Sequence, residues 1–237
     1  MKGRLLAILM TCVLSVGMLT GCGADKKDSA KATEKQGNTN GAEEGVDAPA
    51  GLFSDGDSTE TENAKLDTSE NLSGKHHAVI KIQGYGEITV ELDADTAPIT
   101  VTNFVKLAQD GFYNGLTFHR IMDGFMMQGG DPNANGTGGS DETIKGEFSN
   151  NGVENKLSHT KGAISMARSS DPNSASSQFF IVQTDSTFLD GNYAVFGYVT
   201  EGIEIVDEIC KDAVPTDNNG SISKNKQPVM DTIEILD

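Results

Sequence analysis

The pattern of hydrophobic and polar residues divides the chain into a C-terminal part with regular periodicity and an N-terminal part without it. From about Lys75 onward, short runs alternate with period two, which is typical of β-strands with one buried face. Residues 78–82 and 86–92 are the clearest pair, and the glycines between them predict a hairpin turn. Further strands are predicted at 118–128 with a break at Asp123-Gly124, 163–167, 178–183, 194–199 and 231–236.

Two segments have helical spacing instead. Thr96-Ala97-Pro98 favours a helix start with proline in the first turn, and Gly111 ends this helix. Its apolar positions, which share one face, are Val101, Phe104, Val105 and Ala108. A shorter helix is predicted at 204–211. Many short strands, two helices and no internal repeat favour a mainly β fold, a closed β-barrel with helical plugs.

The first 21 residues have the pattern of a secretory signal peptide. Lys2 and Arg4 precede an apolar run over 5–19, which is shorter than a bilayer span of roughly 18 or more residues. The run ends in Leu19-Thr20-Gly21-Cys22, which resembles the lipobox of bacterial lipoproteins. The resemblance implies that Cys22 becomes the acylated N-terminus and anchors the protein to the membrane outside the cytoplasm. The alternative is an uncleaved signal anchor in which Cys22 has no role.

Residues 22–74 are predicted to be a disordered tether. Residues 23–74 hold 12 acidic and 5 basic residues, with almost no large apolar side chains. Such a segment buries too little apolar surface to offset the entropy lost on ordering. The alternative is a binding motif around Leu52-Phe53, the only adjacent apolar pair. The folded domain is therefore predicted to span 75–237.

Composition and charge exclude several function classes. The formal net charge of -17 argues against a nucleic-acid partner, because phosphate binding needs clustered basic residues. Of the three cysteines, Cys12 leaves with the signal peptide and Cys22 carries lipid, so Cys210 is predicted to be a small buried hydrophobe. The four histidines lack metal-ligand spacing, and the glycine-rich loop 129–139 lacks the Lys-Ser/Thr of a phosphate loop. No metal or cofactor is expected.

Two stretches carry unusual chemistry, residues 118–131 and residues 165–181. In the first, Arg120 shares a strand face with Phe118 and Met122, although arginine is rarely buried unless it is paired. The spacing alone favours a snorkelling arginine, whose stem covers apolar surface while its charged end reaches water.

These stretches, the loop 135–139 and residues 188–197 resemble the cyclophilins, the peptidyl-prolyl cis-trans isomerases, in the same order over about residues 77–236. The resemblance implies an eight-stranded antiparallel barrel capped by two α-helices, with Arg120 as the catalytic residue. The positions that match the family's substrate-binding site are Phe125, Met126, Gln128, Ala167, Arg168, Gln178, Phe180, Phe188, Leu189 and Tyr193.

Three positions depart from the eukaryotic members of that family. Phe188 stands where many of them have tryptophan, Tyr193 where they have histidine, and Arg168 where they have asparagine. Loss of the indole N–H removes one hydrogen-bond donor. We therefore expect weak binding of cyclosporin-type inhibitors, with catalysis largely kept.

The sequence thus predicts a lipid-anchored, monomeric prolyl isomerase that acts on proline-containing polypeptides and helps exported proteins to fold. Two other classes of protein are compatible with parts of the sequence. One is a non-catalytic chaperone or adaptor that only binds proline-containing segments. The other is a solute-binding lipoprotein, which would need two lobes that about 160 domain residues hardly provide.

Overall fold

The computed structural model describes residues 65–237, so the predictions for the signal peptide, Cys22 and residues 23–64 lie outside the described residues. Within the described range the regular elements are eight β-strands, two α-helices and three short 3₁₀ turns. In chain order they are β1 (Lys75–Ile82), β2 (Gly86–Asp93), α1 (Pro98–Gln109), β3 (Phe118–Met122), β4 (Met126–Gly129), a 3₁₀ turn (Ser149–Asn151), β5 (Ala163–Met166), β6 (Phe179–Val182), a 3₁₀ turn (Thr187–Leu189), β7 (Val195–Glu201), α2 (Ile203–Asp212), a 3₁₀ turn (Lys224–Lys226) and β8 (Met230–Ile235). Each predicted strand and helix has its counterpart among these elements.

The strands form one antiparallel sheet in the order β3-β4-β6-β5-β7-β2-β1-β8. A mainly β fold with antiparallel strands and two helices is therefore confirmed, but the predicted closed barrel is not, because the sheet is curled without pairing its two edge strands. The edge strands β3 and β8 share no continuous ladder and are linked through a single bridge between Thr117 and Val229. Beside it, Phe118 N donates to Pro228 O at 3.0 Å and Met230 N donates to Leu116 O at 2.8 Å. The sheet is thus curled, and its edges meet just before the two strands begin.

The main core packs residues of the sheet against helix α1, and three residues of α2 join it. The alternation in β1 buries Ala78, Ile80 and Ile82, as period two requires. In α1 the predicted apolar face is fully buried, and the Phe104 ring lies 5.3 Å from Tyr113 and 5.4 Å from Phe179, measured between ring centroids. Aromatic rings at such separations add stability beyond the area that they bury.

Helix α2 is amphipathic and packs its apolar face against the sheet. Its buried residues are Val206, Ile209 and Cys210. Burial raises the pKa of Cys210 to about 12, so its thiol stays protonated at neutral pH. Cys210 therefore acts as a small buried hydrophobe, as its sequence environment predicts.

Helix α1 begins without the usual side-chain cap, because Ala97 precedes Pro98. The buried carboxylate of Glu147 takes that role, accepting hydrogen bonds from Ile99 N at 3.1 Å, Thr100 N at 2.8 Å and Thr100 Oγ1 at 2.7 Å. A negative charge is favourable at a helix N-terminus. Glu147 thereby fixes the segment that ends in Phe148, a residue that supports the site described below.

Packing of the chain begins before Lys75. Leu66 and Leu72 lie half-buried against the core, and Leu72 N donates to Thr102 Oγ1 of α1 at 2.8 Å. Residues 65–74 have no regular secondary structure but belong to the packed domain. Over the described range 65–237, no helix is both long and apolar enough to cross a membrane.

Candidate active site

Arg120 lies on β3, directly across from Gln128 on β4. Its side chain is half-buried, and every nitrogen of the guanidinium has a neighbour. Nε donates to Asn219 O at 2.7 Å, and Nη1 donates to Gln128 Oε1 at 3.1 Å. The sulfur atoms of Met122 and Met126 lie 3.3 Å from Nη2 and 3.8 Å from Nη1. The guanidinium is thus held in one orientation between the strand and a later loop.

Arg120 keeps its positive charge although its side chain is half-buried. Burial lowers the pKa of Arg120, while electrostatic interactions with Tyr193 and Asp217 raise it. Because an arginine ordinarily titrates above pH about 12, the lowered pKa leaves the group protonated at neutral pH. Its central carbon lies 5.9 Å from the centroid of the Phe125 ring, within the range of a cation–π contact.

An apolar cluster lies beside this guanidinium, and we call the side of it that its half-buried members expose the apolar pocket. Strand register aligns three of its neighbours, because Arg120 faces Gln128 across β3 and β4, and Gln128 faces Phe180 across β4 and β6. The buried members of the cluster are Met126, Ala163, Phe180, Val182 and Val195, and the half-buried ones include Phe125, Ala167, Leu189 and Tyr193. Adjacent strands therefore place a fixed positive charge next to an apolar wall.

The rim of the pocket is aromatic. Phe188 is 71% exposed, and its ring centroid lies 5.7 Å from that of Phe125. Tyr193 packs edge-on against Phe180, with 6.0 Å between ring centroids. All four rings predicted for substrate binding therefore lie at one site.

The two glutamines form a polar chain beside the pocket. Gln128 Nε2 donates to Gln178 Oε1 at 3.0 Å, and Gln178 Nε2 donates to Gly138 O at 2.7 Å. A groove of about 190 Å³ runs along them. It is lined by Gln128, Gly136, Ala167, Arg168, Ser169, Ser174, Ser176 and Gln178. The predicted wall residues Ala167 and Arg168 thus lie where an extended peptide has room.

The Arg168 side chain is largely engaged with the protein itself. Its guanidinium carbon lies 4.9 Å from the Phe148 ring centroid and 4.7 Å from that of Tyr193. Its Nε and Nη2 donate to Asn192 O at 2.9 Å and 2.8 Å, and Nη1 donates to Ser169 O at 2.8 Å. Arg168 therefore supports Tyr193 and the adjoining loop in addition to lining the groove.

His159 lies behind the pocket and was not recognised in the sequence. Its ring stacks on Phe180 with 5.9 Å between centroids, and Nδ1 donates to Asp190 Oδ1 at 2.7 Å. Nε2 then accepts from Ser165 Oγ at 3.0 Å. The chain of serine, histidine and aspartate resembles a nucleophilic triad, but Ser165 and His159 have no exposed surface. Since no substrate can reach Ser165, the three residues serve to hold Phe180 in place.

Asp131 belongs to the glycine-rich loop that follows β4, and His119 of β3 lies beside Gly136 of that loop. His119 is buried, and its Nδ1 has no hydrogen-bond partner among the residues that the structure describes. Burial raises the pKa of Asp131, but donation by Asn135 N, Asn133 N and Gly136 N outweighs this and leaves its pKa below the ordinary value. The buried carboxylate therefore organises the loop 131–136 through backbone donors.

The lowered pKa of Asp131 predicts that the protein loses stability in acid. Because its folded-state pKa lies below the about 3.9 of an unfolded aspartate, its stabilisation is complete above that pH and is lost as pH falls through the folded-state pKa. Urea unfolding of the wild type and of Asp131→Asn should differ at pH about 7, and the difference should shrink at pH about 3. A difference that stays constant between the two pH values would contradict this role of the carboxylate.

Of the neighbours of Arg120, Met122 is expected from period two, because it shares the strand face of Arg120, and its sulfur lies 3.3 Å from Nη2. Asn219 carries no signal in the sequence. Asn219 offers only its backbone oxygen, and it lies 99 positions further along the chain. Within residues 65–237, no group of three or more His, Cys, Asp or Glu side chains is arranged to hold a metal ion.

A fixed cation beside an apolar pocket and a polar groove is a site for an apolar ring within a peptide. The comparisons with known proteins agree with this geometry. The family model for the cyclophilin type peptidyl-prolyl cis-trans isomerase matches residues 77–236. A peptidyl-prolyl cis-trans isomerase of Helicobacter pylori (strain J99) is 45% identical over 142 residues, covering 59% of this chain and 84% of the relative. Peptidyl-prolyl cis-trans isomerase B of Bacillus subtilis is 48% identical over 118 residues, covering 50% and 79%.

A solved structure extends the similarity to the fold. The crystal structure of a cyclophilin type peptidyl-prolyl cis-trans isomerase of Cryptosporidium parvum, determined in the presence of the dipeptide Ala-Pro, has a TM-score of 0.60 and 28% identity. The match covers 68% of this chain and 99% of that chain. The chain therefore belongs to the cyclophilin-type peptidyl-prolyl cis-trans isomerase family. Its activity is that of a peptidyl-prolyl cis-trans isomerase.

Proposed function

We propose that Arg120 is the catalytic residue and that it acts by binding the twisted imide more tightly than the planar one. The observation that carries this proposal is the guanidinium fixed above an apolar pocket, with Nε on Asn219 O and Nη1 on Gln128. Rotation about an X-Pro bond breaks the amide resonance and frees the lone pair of the proline nitrogen. A charged N–H that donates to this nitrogen stabilises the transition state selectively and raises kcat.

The pocket binds the proline ring while the preceding carbonyl turns. Met126 and Phe180 are its buried residues, and Phe125, Leu189 and Tyr193 are its half-buried ones. The substrate is a proline-containing polypeptide, whose chain runs beside Gln128 and Gln178 along the groove. The relative of Cryptosporidium parvum, whose structure was determined with Ala-Pro, supports a proline dipeptide as the minimal ligand.

The required acceleration is within reach of such differential binding. Uncatalysed isomerisation takes about 10–100 s. A turnover of about 10³ per second requires roughly 10⁴–10⁵-fold acceleration, which corresponds to about 5.5–7 kcal/mol. One charged hydrogen bond formed in the transition state, together with the oriented ring, supplies an energy of this order.

The test is the cis-trans isomerisation of an X-Pro peptide by the full chain and by its Arg120→Ala variant. Turnover by the wild type that is lost in the variant supports the assignment. Equal rates for the two proteins would remove Arg120 from the mechanism.

We further propose that the enzyme is anchored outside the cytoplasm through lipid on Cys22 and that it acts on exported polypeptides. The support is the order of features in the sequence, a basic start, a short apolar run and then Leu19-Thr20-Gly21-Cys22. Acyl chains bind membranes with about 0.8 kcal/mol per buried CH₂, so two chains retain a protein at the surface. The acidic body adds no attraction to an anionic leaflet.

This anchor predicts incorporation of palmitate at Cys22. Cells that produce the full chain should incorporate radioactive palmitate into the protein, and the Cys22→Ala variant should lose both the label and its membrane association. Cys12→Ala is the matched control, because Cys12 lies within the apolar run and should not affect labelling. Label retained in the Cys22→Ala variant would contradict the proposal.

A further inference from the structure

A tight turn that is far from Arg120 in the sequence holds the Nε group of its side chain. Asn219, whose backbone oxygen accepts from Arg120 Nε at 2.7 Å, lies in the loop between α2 and β8. This loop pairs with the free edge of β3. Ile121 N donates to Gly220 O at 2.8 Å, and Ile222 N donates to His119 O at 2.9 Å. The turn is therefore fixed directly against the strand that carries Arg120.

Close packing at Gly220 leaves the turn little freedom to move. Gly220 has φ +88°, in the left-handed region that favours glycine. A Cβ at this position would overlap the Met122 side chain and would lie 2.8 Å from Ile121 O. The Asn219 carbonyl thus has a defined position only while the turn keeps this conformation.

Asp217 holds that conformation. Its Oδ1 accepts from Asn219 N at 2.9 Å and from Ser221 N at 3.0 Å. At the base of the turn, Thr216 N donates to Ser221 O at 2.8 Å. The two bonds to Asp217 close a ring around Asn219, which is the residue whose carbonyl contacts Arg120.

We propose that Asp217 is a positioning residue, which orients the Arg120 guanidinium by fixing the Asn219 carbonyl. With Nε bound to this carbonyl, Nη1 and Nη2 face Gln128, the two methionine sulfurs and the pocket. Without this hydrogen bond, the half-buried Arg120 side chain can rotate about its χ angles. Fewer of its conformations then present an N–H to the proline nitrogen. The inference rests on the proposed catalytic role of Arg120 and adds the element that orients it.

The experiment compares kcat and KM of the full chain with those of Asp217→Ala and Asp217→Asn. The alanine variant removes both acceptor bonds, so we expect kcat to fall about 10-fold, less than the about 10²-fold that a 1 Å displacement of a catalytic group can cost. KM should change by less than about twofold, since the pocket is intact. The asparagine variant keeps an oxygen that can accept from Asn219 N and Ser221 N, and it should retain most of kcat.

A matched control comes from Asp67, whose Oδ1 accepts from Ser69 N at 2.9 Å in the segment before β1. Asp67→Ala removes the same charge and the same type of bond and should leave kcat unchanged. A second measurement is the NMR signal of the Arg120 Nε–H group, which should shift in Asp217→Ala and stay near its wild-type position in Asp217→Asn.

The outcomes separate this inference from the catalytic role of Arg120. An unchanged kcat in Asp217→Ala, while the kcat of Arg120→Ala is strongly reduced, overturns the inference and leaves the catalytic role intact. Asparagine and alanine variants that are equally impaired would assign the effect to charge and would overturn the proposed role of the turn. Loss through KM alone would make Asp217 a binding residue and overturn the inference as well.

Discussion

Replacement of Arg120 by alanine is expected to lower kcat/KM for an X-Pro peptide by about 10²–10³-fold, the usual cost of losing one transition-state donor. The effect should appear in kcat, because the planar substrate is bound mainly by the apolar pocket and by Gln128. Arg120→Lys should remain well below the wild type. An ammonium cannot donate to Asn219 O and Gln128 in the fixed fork of a guanidinium while also reaching the substrate.

The measurement is the rate of peptide isomerisation, with peptide affinity determined separately by titration. Lys156→Ala is the control for loss of one positive charge, because Lys156 is exposed and, within residues 65–237, its one ion pair is with Glu154 at 2.7 Å. Unchanged affinity with a large loss of kcat identifies stabilisation of the transition state. A loss confined to affinity would instead make Arg120 a binding residue.

The regular elements could be predicted because their signals are local. Period-two alternation in β1 and β2 and the apolar face of α1 correspond directly to buried residues. The glycines between the first two strands mark the hairpin that the structure contains. The way in which the curled sheet meets at its edges could not be predicted, since the bridge between Thr117 and Val229 joins residues that are far apart in sequence.

The site could be predicted in its side chains but not in its supports. The resemblance places Arg120, Gln128 and Phe180 together because the motif keeps its order along the chain, and strand register then aligns them. The supporting contacts depend on tertiary packing instead. Glu147 caps a helix about 50 residues earlier, His159 stacks behind Phe180, and the turn at Asp217 fixes Arg120 through a backbone oxygen. None of these supports has a local pattern that distinguishes it from a surface residue or an ordinary loop residue.

Strand β6 contributes both to the pocket and to the aromatic core. Phe179 and Phe180 are neighbours on β6 and point to opposite faces. Phe180 faces the pocket, whereas Phe179 belongs to the main core beneath helix α1. A defect at Phe179 therefore acts on folding, although it lies next to a residue of the site.

Phe179→Ala is accordingly expected to lower the free energy of unfolding by about 3–5 kcal/mol, the usual cost of removing a buried phenylalanine. The Phe179 ring packs edge-on against Phe104, Tyr113 and Phe118, with centroids 5.4, 5.6 and 6.1 Å away. Its removal leaves a cavity where helix and sheet meet. Against a total stability of about 5–15 kcal/mol, the variant is close to unfolding, and its Tm should fall by roughly 6–20 °C.

Thermal and urea unfolding of the full chain measure this effect, and Phe188→Ala is the matched control. Phe188 is 71% exposed, so its removal should change the free energy of unfolding by no more than about 0.5 kcal/mol. The two phenylalanines thus separate core packing from the exposed rim of the pocket. A cost below about 1 kcal/mol for Phe179→Ala would mean that helix α1 and the sheet can close the cavity, and that the aromatic cluster is not what joins them.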